Sequence, residues 1–83
     1  AEDIAAPIVS VYPNPTSGLV SIEVKGDREM LFSYEVFTRV GVRVLTGSGN
    51  GSKQLSLANL GKGSYMIAVN VAGTRHTFSV VVE

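Results

Sequence analysis

Apolar and polar residues alternate with period two along most of this chain, and that alternation predicts strands. Val20, Ile22 and Val24 face one way while Ser21, Glu23 and Lys25 face the other, as in a strand with one buried and one wet face. Met30, Phe32, Tyr34 and Val36 form a second apolar face; opposite them Leu31 and Phe37 flank Ser33 and Glu35, a mixed face that predicts partial cover. After a break at Gly41, Val42 and Val44 continue the alternation against Arg43 and Leu45, as the return arm of a hairpin. Leu55, Leu57 and Leu60 suit either a strand ending in a turn or one turn of helix, and the strand is preferred. Tyr65, Ile67, Val69 and Val71 oppose Met66, Ala68 and Asn70, and Phe78, Val80 and Val82 oppose Ser79, Val81 and Glu83 in a final strand.

Turn residues punctuate these runs. The short apolar run over residues 8–12 stops at Pro13-Asn14-Pro15, because two prolines fix φ and remove two backbone donors. Thr16-Ser17-Gly18 extends that turn, and Gly26-Asp27-Arg28 and Ala72-Gly73 supply others, the last a tight hairpin signal. Residues 47–52, Gly-Ser-Gly-Asn-Gly-Ser, predict a flexible loop. Residues 1–7 read as a linker of small and acidic residues ending at Pro7, so the domain proper is expected over 8–83. About seven short strands with turns at each break predict an all-β fold, an antiparallel β-sandwich of immunoglobulin-like type.

Composition narrows the function classes. A chain of 83 residues makes one small domain, burying only about 60% of its unfolded surface. Cysteine is absent, which excludes disulfides and thiolate chemistry and leaves apolar burial to hold the fold. Seven basic residues balance seven acidic ones without blocks of one sign, so no nucleic-acid partner is expected. The longest apolar runs fall far short of the roughly 20 residues of a bilayer span, and no membrane insertion is expected. Without an initiating Met or a signal peptide, the chain reads as a piece of a longer precursor.

The raw material for catalysis is poor. His76, the single histidine, has no carboxylate near it in sequence and reads as a solvated strand residue. The acidic pairs Glu2 with Asp3 and Asp27 with Glu29 lack the spacing and glycine of a calcium loop. Tyr12, Tyr34 and Tyr65 could line a sugar-binding face, but tyrosine in a small sandwich more often plugs the core, and there is no tryptophan. No catalytic residue, metal site or cofactor is expected.

Residues 12–18, YPNPTSG, lead into an alternating strand; Gly41 interrupts a valine-rich run; Leu60, Gly63 and Tyr65 mark a leucine stretch entering a glycine–tyrosine pair; a valine-rich strand closes the chain. This order resembles the type A C-terminal sorting domains of the type IX secretion system of Bacteroidetes, with Tyr12, Pro13, Asn14, Pro15, Thr16, Gly18, Gly41, Leu60, Gly63 and Tyr65 as the matching positions. The chain departs from the family pattern at Thr38, where an acidic residue or asparagine is usual, at Phe78 or Ser79, where lysine is common, and at the acidic Glu83.

The resemblance implies a non-enzymatic domain that directs a cargo protein across the outer membrane to the cell surface or medium. It implies transit through the periplasm, an outer-membrane translocon as partner, and sortase-like machinery that on many cargos removes the domain and attaches the cargo to surface lipopolysaccharide. Ala1, Glu2, Asp3, Ile4, Ala5 and Ala6 occupy the place where cleavage would fall. Thr77, Phe78, Ser79, Val80, Val81, Val82 and Glu83 are the expected recognition strand, since a strand at a sheet edge offers unpaired backbone groups to a partner. Val81, apolar on the outer face, supports that choice. The two fixed φ angles of Pro13 and Pro15 also predict a folding role for their turn, about 0.4–1 kcal/mol per proline. The competing reading is a carbohydrate-binding or adhesive β-sandwich accessory module, which requires an exposed aromatic platform; a structural spacer or dimer-forming domain is a third. The sequence leaves the oligomeric state open.

Overall fold

A computed structural model of the chain describes residues 7–26 and 30–83. Its strands are β1 (Ile8–Tyr12), β2 (Leu19–Lys25), β3 (Leu31–Thr38), β4 (Arg43–Asn50), β5 (Ser52–Ser56), β6 (Gly63–Val71) and β7 (Thr74–Val82), with one 3-10 turn at Ala58–Leu60. They pair in the order β1-β2-β5-β4-β3-β6-β7, every pair antiparallel. β4 and β5 pair only at Asn50 and Ser52, on either side of Gly51. The ladder folds at that corner into two sheets, β1-β2-β5 and β4-β3-β6-β7, that face one another across one core. This is the β-sandwich that the alternation predicts, with strand pairings consistent with an immunoglobulin-like arrangement.

The inward positions are the predicted ones. Val20, Ile22, Val24 and Leu55 come from the first sheet; Phe32, Tyr34, Val36, Tyr65, Ile67, Val69, Val71, Val80 and Val82 come from the second. Leu57, fully buried, closes the core where β5 gives way to the 3-10 turn. The leucine stretch is therefore a strand followed by one short helical turn. At the β6–β7 hairpin Ala72 and Gly73 both take positive φ, 50° and 80°, the conformation whose twist suits a two-residue connection.

Three local expectations change. Residues 47–52 are not a loop: β4 runs through Gly47 and Gly49 to Asn50. Gly49 lies opposite Phe32 and Gly47 opposite Tyr34. A Cβ on Gly49 would come within 2.8 Å of the Phe32 ring, and one on Gly47 would meet the Tyr34 ring at 2.6 Å. The glycines are strand residues that make room for aromatic rings, and the period-two pattern continues with no side chain on its inner face. Second, the alternation slips in the β3–β4 hairpin. The register shifts between Val36 and Phe37; Val42 becomes exposed, and Val44 and Leu45 are both half-buried. Third, β7 starts directly after the hairpin at Thr74, so His76 is a half-buried strand residue opposite Val69.

Candidate functional site: the proline turn and the final strand

The turn after β1 leaves the first sheet and reaches the outer edge of the second. Tyr12–Pro13 and Asn14–Pro15 are both cis peptides. Thr16 follows, the one buried polar side chain among the described residues, 3% exposed. Its hydroxyl donates to the Leu19 carbonyl at 2.6 Å and accepts from the Gly18 N–H at 3.0 Å, so it closes the turn from inside. Gly18 has φ 141°, and a Cβ there would lie 3.1 Å from that of Ala58. The Gly18 carbonyl accepts from the Leu57 N–H at 2.6 Å, tying the turn to the 3-10 segment.

Backbone and side chain of this turn together bond the edge of β7. The Thr16 N–H donates to the Val81 carbonyl and the Glu83 N–H donates to the Thr16 carbonyl, both at 2.9 Å, forming a parallel bridge between Thr16 and Val82. One step earlier, the Asn14 amide takes the place of a neighbouring strand. Its Nδ2 donates to the Ser79 carbonyl at 2.9 Å and its Oδ1 accepts from the Val81 N–H at 3.0 Å.

The matched motif positions gather at one end of the sandwich. Thr16 neighbours Val82, and Val82 neighbours Gly63. In the adjacent inward row Thr38, Tyr65 and Val80 lie side by side. The Tyr65 phenol oxygen sits 2.7 and 2.8 Å from the carbonyl oxygens of Leu60 and Gly61. Gly41, with φ 92°, sits in the β3–β4 turn, where the Gly41 N–H donates to the Thr38 carbonyl at 2.9 Å and the Thr38 hydroxyl accepts from the Val42 N–H at 3.2 Å. Thr38 thus supplies a side-chain oxygen to this turn.

Of the final-strand positions, Val80 and Val82 are buried, Phe78 is half-buried, and Thr77, Ser79, Val81 and Glu83 are exposed. Val81 is 41% exposed on the outer face. Residues 1–6, which carry the expected cleavage segment, lie outside the described residues, as do Asp27 and Glu29. Elsewhere on the outer face Glu35 receives Arg43 at 3.0 Å and Arg75 at 3.3 Å, with the Arg75 guanidinium 5.8 Å from the Phe37 ring centre. Tyr12 donates to Glu23 at 3.2 Å, and that bond, with the carboxylate's charge, raises the phenol above its ordinary pKa. The tyrosines form no platform, since Tyr34 and Tyr65 are core residues. Among the described residues no cluster of three metal-ligating side chains occurs, and no helix is long and apolar enough to cross a membrane.

The roles of Asn14 and Thr16 were not read from the sequence. The available signal was an asparagine between two prolines, a side-chain amide placed where the backbone has lost its own donors.

A family model described as a secretion system C-terminal sorting domain matches residues 10–83. The chain belongs to this family. It is a sorting signal for type IX secretion, which implies engagement of that machinery and export toward the cell surface or out of the cell. No curated protein matches the chain. In this sorting domain the signature turn and the C-terminal strand are one hydrogen-bonded unit.

Proposed function

We propose that the sorting domain is a non-catalytic address whose C-terminal strand is read by the outer-membrane translocon after transit through the periplasm. The observation carrying this reading is the position of β7 at the edge of its sheet with Val81 exposed beside it. A partner's strand can pair with the backbone of this edge where it is open, up to Ser79, and beyond that point the exposed Val81 side chain adds apolar contact area. Thr77, Phe78, Ser79, Val80, Val81, Val82 and Glu83 form the recognition segment in this reading. The family signature positions, from Tyr12 through Tyr65, act indirectly by holding that segment in place. Residues 1–6 form the segment cut by sortase-like machinery where the cargo is transferred to the surface.

Deleting residues 80–83 tests the reading. A cargo fusion carrying the truncated domain is expected to accumulate in the periplasm, while the full domain delivers it to the surface. Normal surface display of the truncated fusion would overturn it.

A further inference from the structure

Along β7 the backbone groups of alternate residues point toward β6 and away from it. The bonds received from the turn identify the odd-numbered residues as the outward set: the Ser79 carbonyl, the Val81 N–H and carbonyl, and the Glu83 N–H are all taken by Asn14 or Thr16. Arg75 and Thr77 belong to the same outward row, and among the described residues no hydrogen bond reaches their outer backbone groups or the Ser79 N–H. The edge is thus divided at Ser79 into an open stretch and a closed one.

We propose that the proline turn is an edge cap, a built-in contact that withholds the C-terminal half of β7 from strand addition. Asn14 is its key side chain. One amide presents an acceptor and a donor at the spacing that a neighbouring strand would present them, so it satisfies β7 without offering an edge of its own. Pro13 and Pro15, on either side, have no N–H to offer an incoming chain. An extended segment, including β7 of a second copy, can pair along residues 75–79 but must lift the turn to continue to Glu83. The cap does not depend on which protein reads the strand.

Amide hydrogen exchange on the full chain tests this, with sedimentation velocity alongside. In Asn14→Ala the Val81 N–H loses its acceptor, and its exchange is expected to rise about tenfold or more while Ile67 and Val69 in β6 stay protected. The open edge should give the variant more concentration-dependent association than the parent chain. Asn14→Asp keeps an oxygen for the Val81 N–H but turns its second oxygen toward the Ser79 carbonyl, acceptor against acceptor, so Val81 protection is expected to fall between those of Asn14→Ala and the parent. Unchanged Val81 exchange in Asn14→Ala, or sedimentation identical to the parent despite faster Val81 exchange, would overturn the proposal. Should Asn14→Ala lose protection throughout, Asn14→Asp alone decides: the proposal requires an intact core with Val81 exchanging faster than in the parent, and parent-like Val81 exchange overturns it.

Discussion

Thr16 joins two hydrogen-bond systems through different atoms, its hydroxyl serving the turn and its backbone serving the edge of β7. Thr16→Val keeps the shape and removes only the hydroxyl, leaving the Leu19 carbonyl and the Gly18 N–H without that partner. A buried polar group stripped of its partner costs about 1–3 kcal/mol. Urea unfolding of Thr16→Val should show a loss in that range, with Thr16→Ser much closer to the parent; equal stability of all three chains would count against it. Tyr12 gives a spectroscopic handle at the same scale. Its folded pKa is raised, so the folded state holds the phenolic proton more tightly than the unfolded state does. The associated stability is present below the unfolded tyrosine pKa and is lost as pH rises through the higher folded value. The Tyr12 phenol should ionise above the ordinary tyrosine range in an ultraviolet titration, and Glu23→Gln should bring it back toward that range. Neither role is visible in sequence. Thr16 sits among turn residues that are usually wet, and Tyr12 meets Glu23 only because β1 and β2 pair in a particular register.

At the scale of elements, alternation carried most of the reading because the sheets bury one face each, and a period-two pattern then names the buried residues directly. It placed the inward faces of β2, β3, β6 and β7. It failed in β4 because the inner face there is occupied by rings from β3, so the alternating positions are glycines and leave no hydrophobic mark. The loop-like composition of residues 47–50 is the complement of Phe32 and Tyr34. Gly47→Ala tests this, because overpacking a close contact costs about 1–3 kcal/mol and the Tyr34 ring has little freedom within the core. A fall in melting temperature is expected, whereas glycine in a true loop would accept alanine with little change. The alternation also failed at the β3–β4 turn, where the register shift inserts a step that a fixed period cannot represent.

At the scale of the molecule, the sandwich brings segments far apart in the chain to one end: the proline turn, the Gly41 turn, the Leu60 to Tyr65 stretch and the final strand. The order of those motifs was legible in sequence, and so was the family. Their spatial convergence was not, because the bridge between Thr16 and Val82 crosses from one sheet to the other and follows from topology. Convergence places short, separated motifs beside one another at the end where the proline turn bonds β7. It also separates this domain from a glycan-binding module, since its tyrosines are spent on the core and on Glu23.

The most direct measurement joins residues 1–83 to the C-terminus of a fluorescent protein that carries a Sec signal, in a bacterium with a working type IX system. Protease shaving and surface labelling then locate the fluorescence. Surface or extracellular fluorescence that disappears when the type IX machinery is disabled is the predicted result; a folded fusion retained in the periplasm of the competent strain would contradict it.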